Sequence, residues 1–119
     1  MSDKPRFHLT RHAAIALRDI YAHSLKQWGQ KTADTYMAAL YAIMAKAAAK
    51  PDIGYIRGMR AVPFLMVPAK QHFIVYDQLK RGIVIVAILH QRRDIERIIA
   101  GMTPAFLAEI QKLRKKIGL

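Results

Sequence analysis

The spacing of apolar residues divides this chain into strand-like and helix-like stretches. Arg6–Thr10 alternates, with Phe7 and Leu9 set against His8, and reads as a short strand. Thr10 then offers an N-cap for a helix running to about Trp28. Leu17, Ile20, Tyr21, Ser24 and Trp28 share one face of it, while Arg18 and Lys26 fall away. Gly29 is a natural stop. A second helix is expected from about Lys31 to Lys50, with Ala33, Tyr36, Met37, Leu40, Met44 and Ala47 on its apolar face and Pro51 ending it. So brief a connection predicts an antiparallel αα-hairpin. An aromatic stripe such as Tyr21, Trp28 and Tyr36 is ordinarily core.

The second half changes period. Pro51 to Met59 reads as a loop, and Arg60 to Val67 as a short strand interrupted by Pro63, which suits an edge or a bulge. Pro68-Ala69 is expected to turn the chain into a hairpin of Gln71–Leu79 and Ile83–His90, both rich in β-branched and aromatic residues. Lys80-Arg81-Gly82 suits the connecting loop, with Gly82 free to take a positive φ. The run from Ile83 to Leu89 has no polar alternation, so that strand should be covered on both faces. Ile95–Ala100 could form a helical turn or two, stopped by Gly101. Thr103 would then cap a last helix with Pro104 at its first position. Phe106, Ile110, Leu113 and Ile117 form one stripe on it, with Lys112, Arg114, Lys115 and Lys116 massed toward its end. A helix packed on the core and a partner-binding helix fit that stripe equally well.

The expected fold is α+β, in the order β-α-α-β-β-β, with a helical hairpin on a mainly antiparallel four-stranded sheet and an added C-terminal helix. Residues 1–100 would form the main domain, and 101–119 a basic amphipathic helix packed on it or extending it. A chain of 119 residues can bury a core of its own.

Composition narrows the chemistry. Twenty Lys and Arg stand against eight Asp and Glu, a formal charge of +12 that favours a polyanionic or acidic partner. There is no cysteine, hence no disulfide framework and no thiolate metal site. Nothing approaches a membrane span, and the first ten residues lack the apolar core of a signal peptide, so a cytoplasmic protein is expected. Serine occurs only at Ser2 and Ser24, the carboxylates are scattered, and the five histidines have no metal-ligand spacing. No phosphate-binding glycine loop is present, and no cofactor or metal is expected. A metal-free ribonuclease survives this elimination, since it needs only a base, an acid and cations. His72, Tyr76, His90, Arg60 and Arg92 could supply them; His72 and Tyr76 would share one face of their strand.

Several segments together resemble the ParE branch of the RelE/ParE toxin superfamily. They are Ala16-Leu-Arg-Asp-Ile-Tyr21, Lys50-Pro51 with Gly54 following, Gly58-Met59-Arg60, His72-Phe-Ile-Val-Tyr76, and Ile83–Leu89 running into His90-Gln-Arg-Arg-Asp94. The resemblance implies a toxin of a bacterial type II toxin–antitoxin system, neutralised by a cognate acidic antitoxin in a hetero-oligomer. ParE-like members are associated with DNA gyrase, RelE-like ones with ribosome-dependent cleavage of messenger RNA. Nucleolytic relatives commonly carry an arginine where this chain has Phe73, which favours the gyrase-directed, non-catalytic branch. The mRNA endonuclease is the alternative, and a non-toxic basic nucleic-acid-binding module the second. On this reading Arg57, Arg60, His72, Tyr76, His90, Arg92 and Arg93 would recognise target or antitoxin. Tyr21, Trp28 and Tyr36 would anchor the antitoxin.

Overall fold

A computed structural model describes residues 6–54, 64–80 and 82–117. Its elements are β1 (Arg6–Leu9), α1 (Arg11–Trp28), α2 (Gln30–Ala49), a 3-10 turn (Pro51–Ile53), β2 (Leu65–Ala69), β3 (His72–Leu79), β4 (Gly82–His90) and α3 (Ile95–Ile117). The sheet order is β1-β4-β3-β2; β1 runs parallel to β4 and the other pairs are antiparallel. This is the expected α+β arrangement. Segment 55–63, which holds Pro63 and the expected start of the second strand, lies outside the described residues.

The sheet is coated on both sides, which explains the unbroken apolar run of β4. On one face Ile83, Ile85 and Ile88 pack with Ile74 and Tyr76 of β3 against Leu17, Leu40 and Met44 of the helical hairpin. On the other, Val84, Val86, Ala87 and Leu89 pack with Val75 and Leu79 against Ile95, Ile99, Phe106 and Ile110 of α3. The switch of face parity has a visible cause. The β3–β4 register steps from Val75↔Ala87 to Tyr76↔Ile85, leaving Val86 as an extra, bulged residue. Val86 and Ala87 therefore point to the same side, and every residue beyond them is turned over. Thr10 stitches this bulge to the first helix. Its hydroxyl donates to the Val86 carbonyl (2.7 Å) and accepts from the Ala13 N–H (3.1 Å), so one buried side chain caps α1 and satisfies the bulge.

The chain differs from the expected pattern in three places. Pro68 and Ala69 lie inside β2, and the turn falls on Lys70-Gln71 instead. Pro68 is tolerated because β2 is the sheet edge, where no neighbour needs its missing N–H. Lys70 takes the left-handed conformation (φ 57°), and Gln91 braces the turn: its amide side chain donates to the Lys70 carbonyl at 2.9 Å. Trp28 is not core but 70% exposed, because it sits in the last turn of α1 at the tip of the hairpin.

The third difference is α3, a single helix through Gly101 and Pro104 rather than a turn, a stop and a new start. The Thr103 hydroxyl donates back to the Ile99 carbonyl within the helix and does not cap it. Pro104 removes the hydrogen bond to Ala100, yet both residues are exposed, so water can serve that carbonyl. The apolar stripe on either side of the proline is held by the sheet, and this packing offsets a cost of about 3 kcal/mol. Polar clips fix both flanks. Glu109 accepts the Arg11 backbone N–H at 2.6 Å, giving α1 the N-terminal carboxylate that its own first turn lacks. Arg114 lies 3.6 Å from Asp77 of β3. Among the described residues no helix is long and apolar enough to cross a membrane.

Gly82 closes the β3–β4 turn at φ 114°, and a Cβ there would run into the Arg6 carbonyl of the adjoining strand. Gly82→Ala should therefore lower unfolding free energy by about 2 kcal/mol or more in urea titration. Gly29→Ala, at positive φ but in open space, should cost clearly less.

Candidate functional site

The hairpin side of the sheet does not close completely. Between α1, the start of α2 and the His72/His90 end of the β3–β4 pair lies a cavity of about 490 Å³. Its lining includes Asp19, His23, Trp28, Tyr36, His72 and His90. The volume falls in the range of small-ligand or anchor-residue pockets. The bulge at Val86 builds this site: without it, His90 would point toward α3 rather than stand beside His72.

The two histidines form a cross-strand pair with ring centroids 5.2 Å apart, edge to face. Each is held by a hydrogen bond on Nδ1. Tyr36 lies 2.6 Å from His72 Nδ1, while its oxygen accepts the Gln71 backbone N–H at 3.2 Å. The geometry is satisfied when the phenol donates to an unprotonated Nδ1, leaving the His72 proton on Nε2. The Arg92 backbone N–H donates to His90 Nδ1 at 3.1 Å. Burial, reinforced by the neighbouring His90, pulls the His72 pKa down to about 4, so the ring is neutral at physiological pH. Burial pushes the Tyr36 phenol up, partly opposed by the Gln71 N–H.

Not every candidate residue meets at this cavity. Trp28 and Tyr36 line it with the two histidines. Tyr21 bonds instead to Asp34 of α2 at 3.0 Å, a bond that raises its pKa and ties the hairpin helices together. Tyr76 is fully buried, with its hydroxyl donating to the Pro51 carbonyl under Gly54; it serves the core and has no surface to offer a partner. Arg92 and Arg93 are exposed on the turn after β4. Arg57 and Arg60 lie outside the described residues. Sequence reasoning passed over Asp19 and His23. They sit four apart on α1, on the turn that also brings Ile20 and Ser24 inward, and that spacing was the available signal. Among the described residues no Lys or Arg lines the cavity, and no cluster of His, Asp and Glu could hold a metal ion.

Phe73 bears on the chemistry through the same alternation. It belongs to the α3-facing side of β3, the face opposite to His72.

Comparison with known proteins places this architecture. The family described as the ParE toxin of type II toxin–antitoxin systems, parDE, matches residues 7–95. The chain belongs to the ParE toxin family. It is 29% identical over 93 residues to Toxin ParE1 of two Mycobacterium tuberculosis strains, CDC 1551 / Oshkosh and H37Rv. Each match spans 77% of this chain and 95% of the relative. A solved structure, the chromosomal ParDE TA system from P. aeruginosa, shares the fold with a TM-score of 0.62 at 18% identity. That match covers 75% of this chain and 98% of the other. Helix α3 begins where the family match ends, so this cover of the second sheet face is an addition to the matched ParE region.

The histidine site makes stability pH-dependent. The unfolded His72 titrates near its ordinary 6.5 and the folded one near 4, so between those values the folded state holds fewer protons. The His72 contribution is intact above about pH 6.5 and is lost as pH falls toward 4. Urea midpoints at pH 7, 5.5 and 4.5 should fall in that order, and His72→Phe should flatten the upper part of the fall. Tyr36→Phe removes the bonds to the Gln71 N–H and His72 Nδ1, of which the exposed N–H can turn to water, and should cost about 1 kcal/mol at pH 7.

Proposed function

We propose that this ParE-family toxin acts in the cytoplasm by inhibiting DNA gyrase without catalysis of its own, and is held inactive by a cognate acidic antitoxin. The observation that carries the non-catalytic reading is the cation-free lining of the histidine cavity among the described residues. Phosphodiester cleavage places an extra negative charge on the pentacovalent phosphate, and losing a fixed donor to it costs several kcal/mol. Among the described residues the His72/His90 pair shares its cavity with Asp19 and with no arginine. His72 has its Nδ1 occupied by Tyr36. Phe73, on the opposite face, supplies no cation either. Among the described residues the His72/His90 pair favours the alternative, a ribosome-dependent mRNA endonuclease.

The antitoxin reading rests on family membership, charge and the same cavity. An acidic segment would be drawn to a chain of charge +12 and would fold as it docks. Its apolar anchor would enter between Trp28 and Tyr36. Trp28 is the natural hot spot, a large aromatic already standing at the rim. Arg92 and Arg93, just beyond His90, would meet target or antitoxin carboxylates.

Controlled expression in a sensitive bacterium, with DNA breaks and protein synthesis followed together, tests the function. Trapped gyrase–DNA breaks with translation initially intact are expected. Rapid translation arrest without breaks would establish the endonuclease instead, and no growth inhibition would leave a non-toxic basic module. For the antitoxin site, Trp28→Ala should weaken capture by a factor of about 30 or more in calorimetry, with the fold unchanged.

A further inference from the structure

A second surface lies at the other end of the sheet, away from the histidine cavity. The Arg114 guanidinium reaches the Gln78 carbonyl (3.4 Å) and Asp77 (3.6 Å), which docks the last turns of α3 beside the β3–β4 turn. Arg6 enters the same corner, because β1 pairs Arg6 with Gly82 at that turn. Arg6, Lys80, Lys112, Arg114, Lys115 and Lys116 are thereby gathered from three elements, all of them exposed. The described carboxylates nearby are already engaged. Asp77 faces Arg114 and accepts the Gln78 N–H, and Glu109 accepts the Arg11 N–H. The pole is thus left with a net excess of cations held on packed elements rather than on a loose tail.

We infer that this basic pole is a docking surface for the phosphate backbone of duplex DNA. Its chemistry fits phosphates better than a protein partner. A stable protein interface needs an apolar centre. Among the described residues the exposed large apolar side chains are Ile15, Leu25, Trp28, Tyr41 and Leu107, and none of these belongs to the β3–β4 turn or to the last two turns of α3. Phosphate contacts need cations at spaced positions and nothing apolar between them. The same absence argues against single strands, whose unstacked bases look for an aromatic platform. Lys112, Lys115 and Lys116 lie at i, i+3 and i+4 and share the solvent side of α3, while Arg114 and Lys80 flank them. Backbone contacts of this kind position a protein on a duplex without reading its sequence. Duplex docking at this pole does not depend on the gyrase reading, and either can fail alone.

The test uses the full chain and a duplex of mixed sequence about two helical turns long, followed by fluorescence anisotropy across a salt series. The triple variant Lys112→Gln, Lys115→Gln, Lys116→Gln removes cations that touch no core. It should bind at least tenfold more weakly, with the slope of log K on log salt reduced by about 0.9 for each phosphate no longer neutralised. Lys26→Gln, Lys31→Gln, Lys46→Gln removes the same charge from the helical hairpin and should bind nearly as the parent does. Circular dichroism checks that both variants are folded. A single strand of equal length should bind more weakly than the duplex. Equal losses in the two triple variants would reduce the effect to overall charge and overturn the proposal. So would tighter binding of a polyglutamate peptide of matched charge, or no measurable duplex binding at low salt.

Discussion

Strict alternation along β4 is broken once, at Val86, and the rest of the molecule is arranged around that break. One inserted residue exchanges the faces of everything beyond it. Before the bulge, Ile83 and Ile85 face the helical hairpin; after it, Ile88 and His90 do. The exchange keeps both faces of β4 apolar and at the same time delivers His90 to His72. Thr10 makes the irregularity tolerable, because its hydroxyl satisfies the Val86 carbonyl while its oxygen caps α1. Backbone irregularity, helix start and candidate site are thus one structural event.

The two faces of the sheet then take different fates. The α3 side is sealed by a helix lying beyond the matched ParE region, pinned by Glu109 at the start of α1 and Arg114 at the end of β3. The hairpin side keeps an opening lined by aromatic and histidine side chains. That division gives each end of the molecule its own chemistry. One end has a hydrogen-bonded pocket with Trp28 at its rim; the other presents cations with no exposed large apolar side chain among the described residues. The cations of a strongly basic chain are in this way spread over more than one surface, and a single acidic partner need not account for all of its charge.

Much of this was legible in the residues. The periodicities set out the helical hairpin, the two-sided burial of β4 and the requirement for Gly82 at a positive-φ turn. The capping role of Thr10 could be read as well, but its bond to Val86 could not, since that needs the register of a strand 76 residues away. Local signals misled at α3, where Gly101, Thr103 and Pro104 spell a stop and a new start. Packing of Ile99, Met102 and Phe106 on one apolar surface carried the helix through instead. Tyr76 and Trp28 were misplaced for related reasons. Alternation puts Tyr76 on the same face as His72, but not how deep the hairpin buries it, and helical spacing cannot tell that Trp28 overhangs the sheet. Asp19 and His23 carried a signal in their spacing of four, but their place beside the His72/His90 pair needs the packing of α1 on the sheet.

A recognition role for the pocket requires His72 to be a neutral ring locked by Tyr36, and not half of an acid–base pair poised for catalysis. Nitrogen-15 spectra of the histidine rings across a pH titration report on this without an intermediary. His72 is expected as the Nε2–H tautomer, unprotonated until the pH approaches about 4. A ring that titrates near its ordinary 6.5, or that carries its proton on Nδ1, would contradict this and return the His72/His90 pair to candidacy as a catalytic centre.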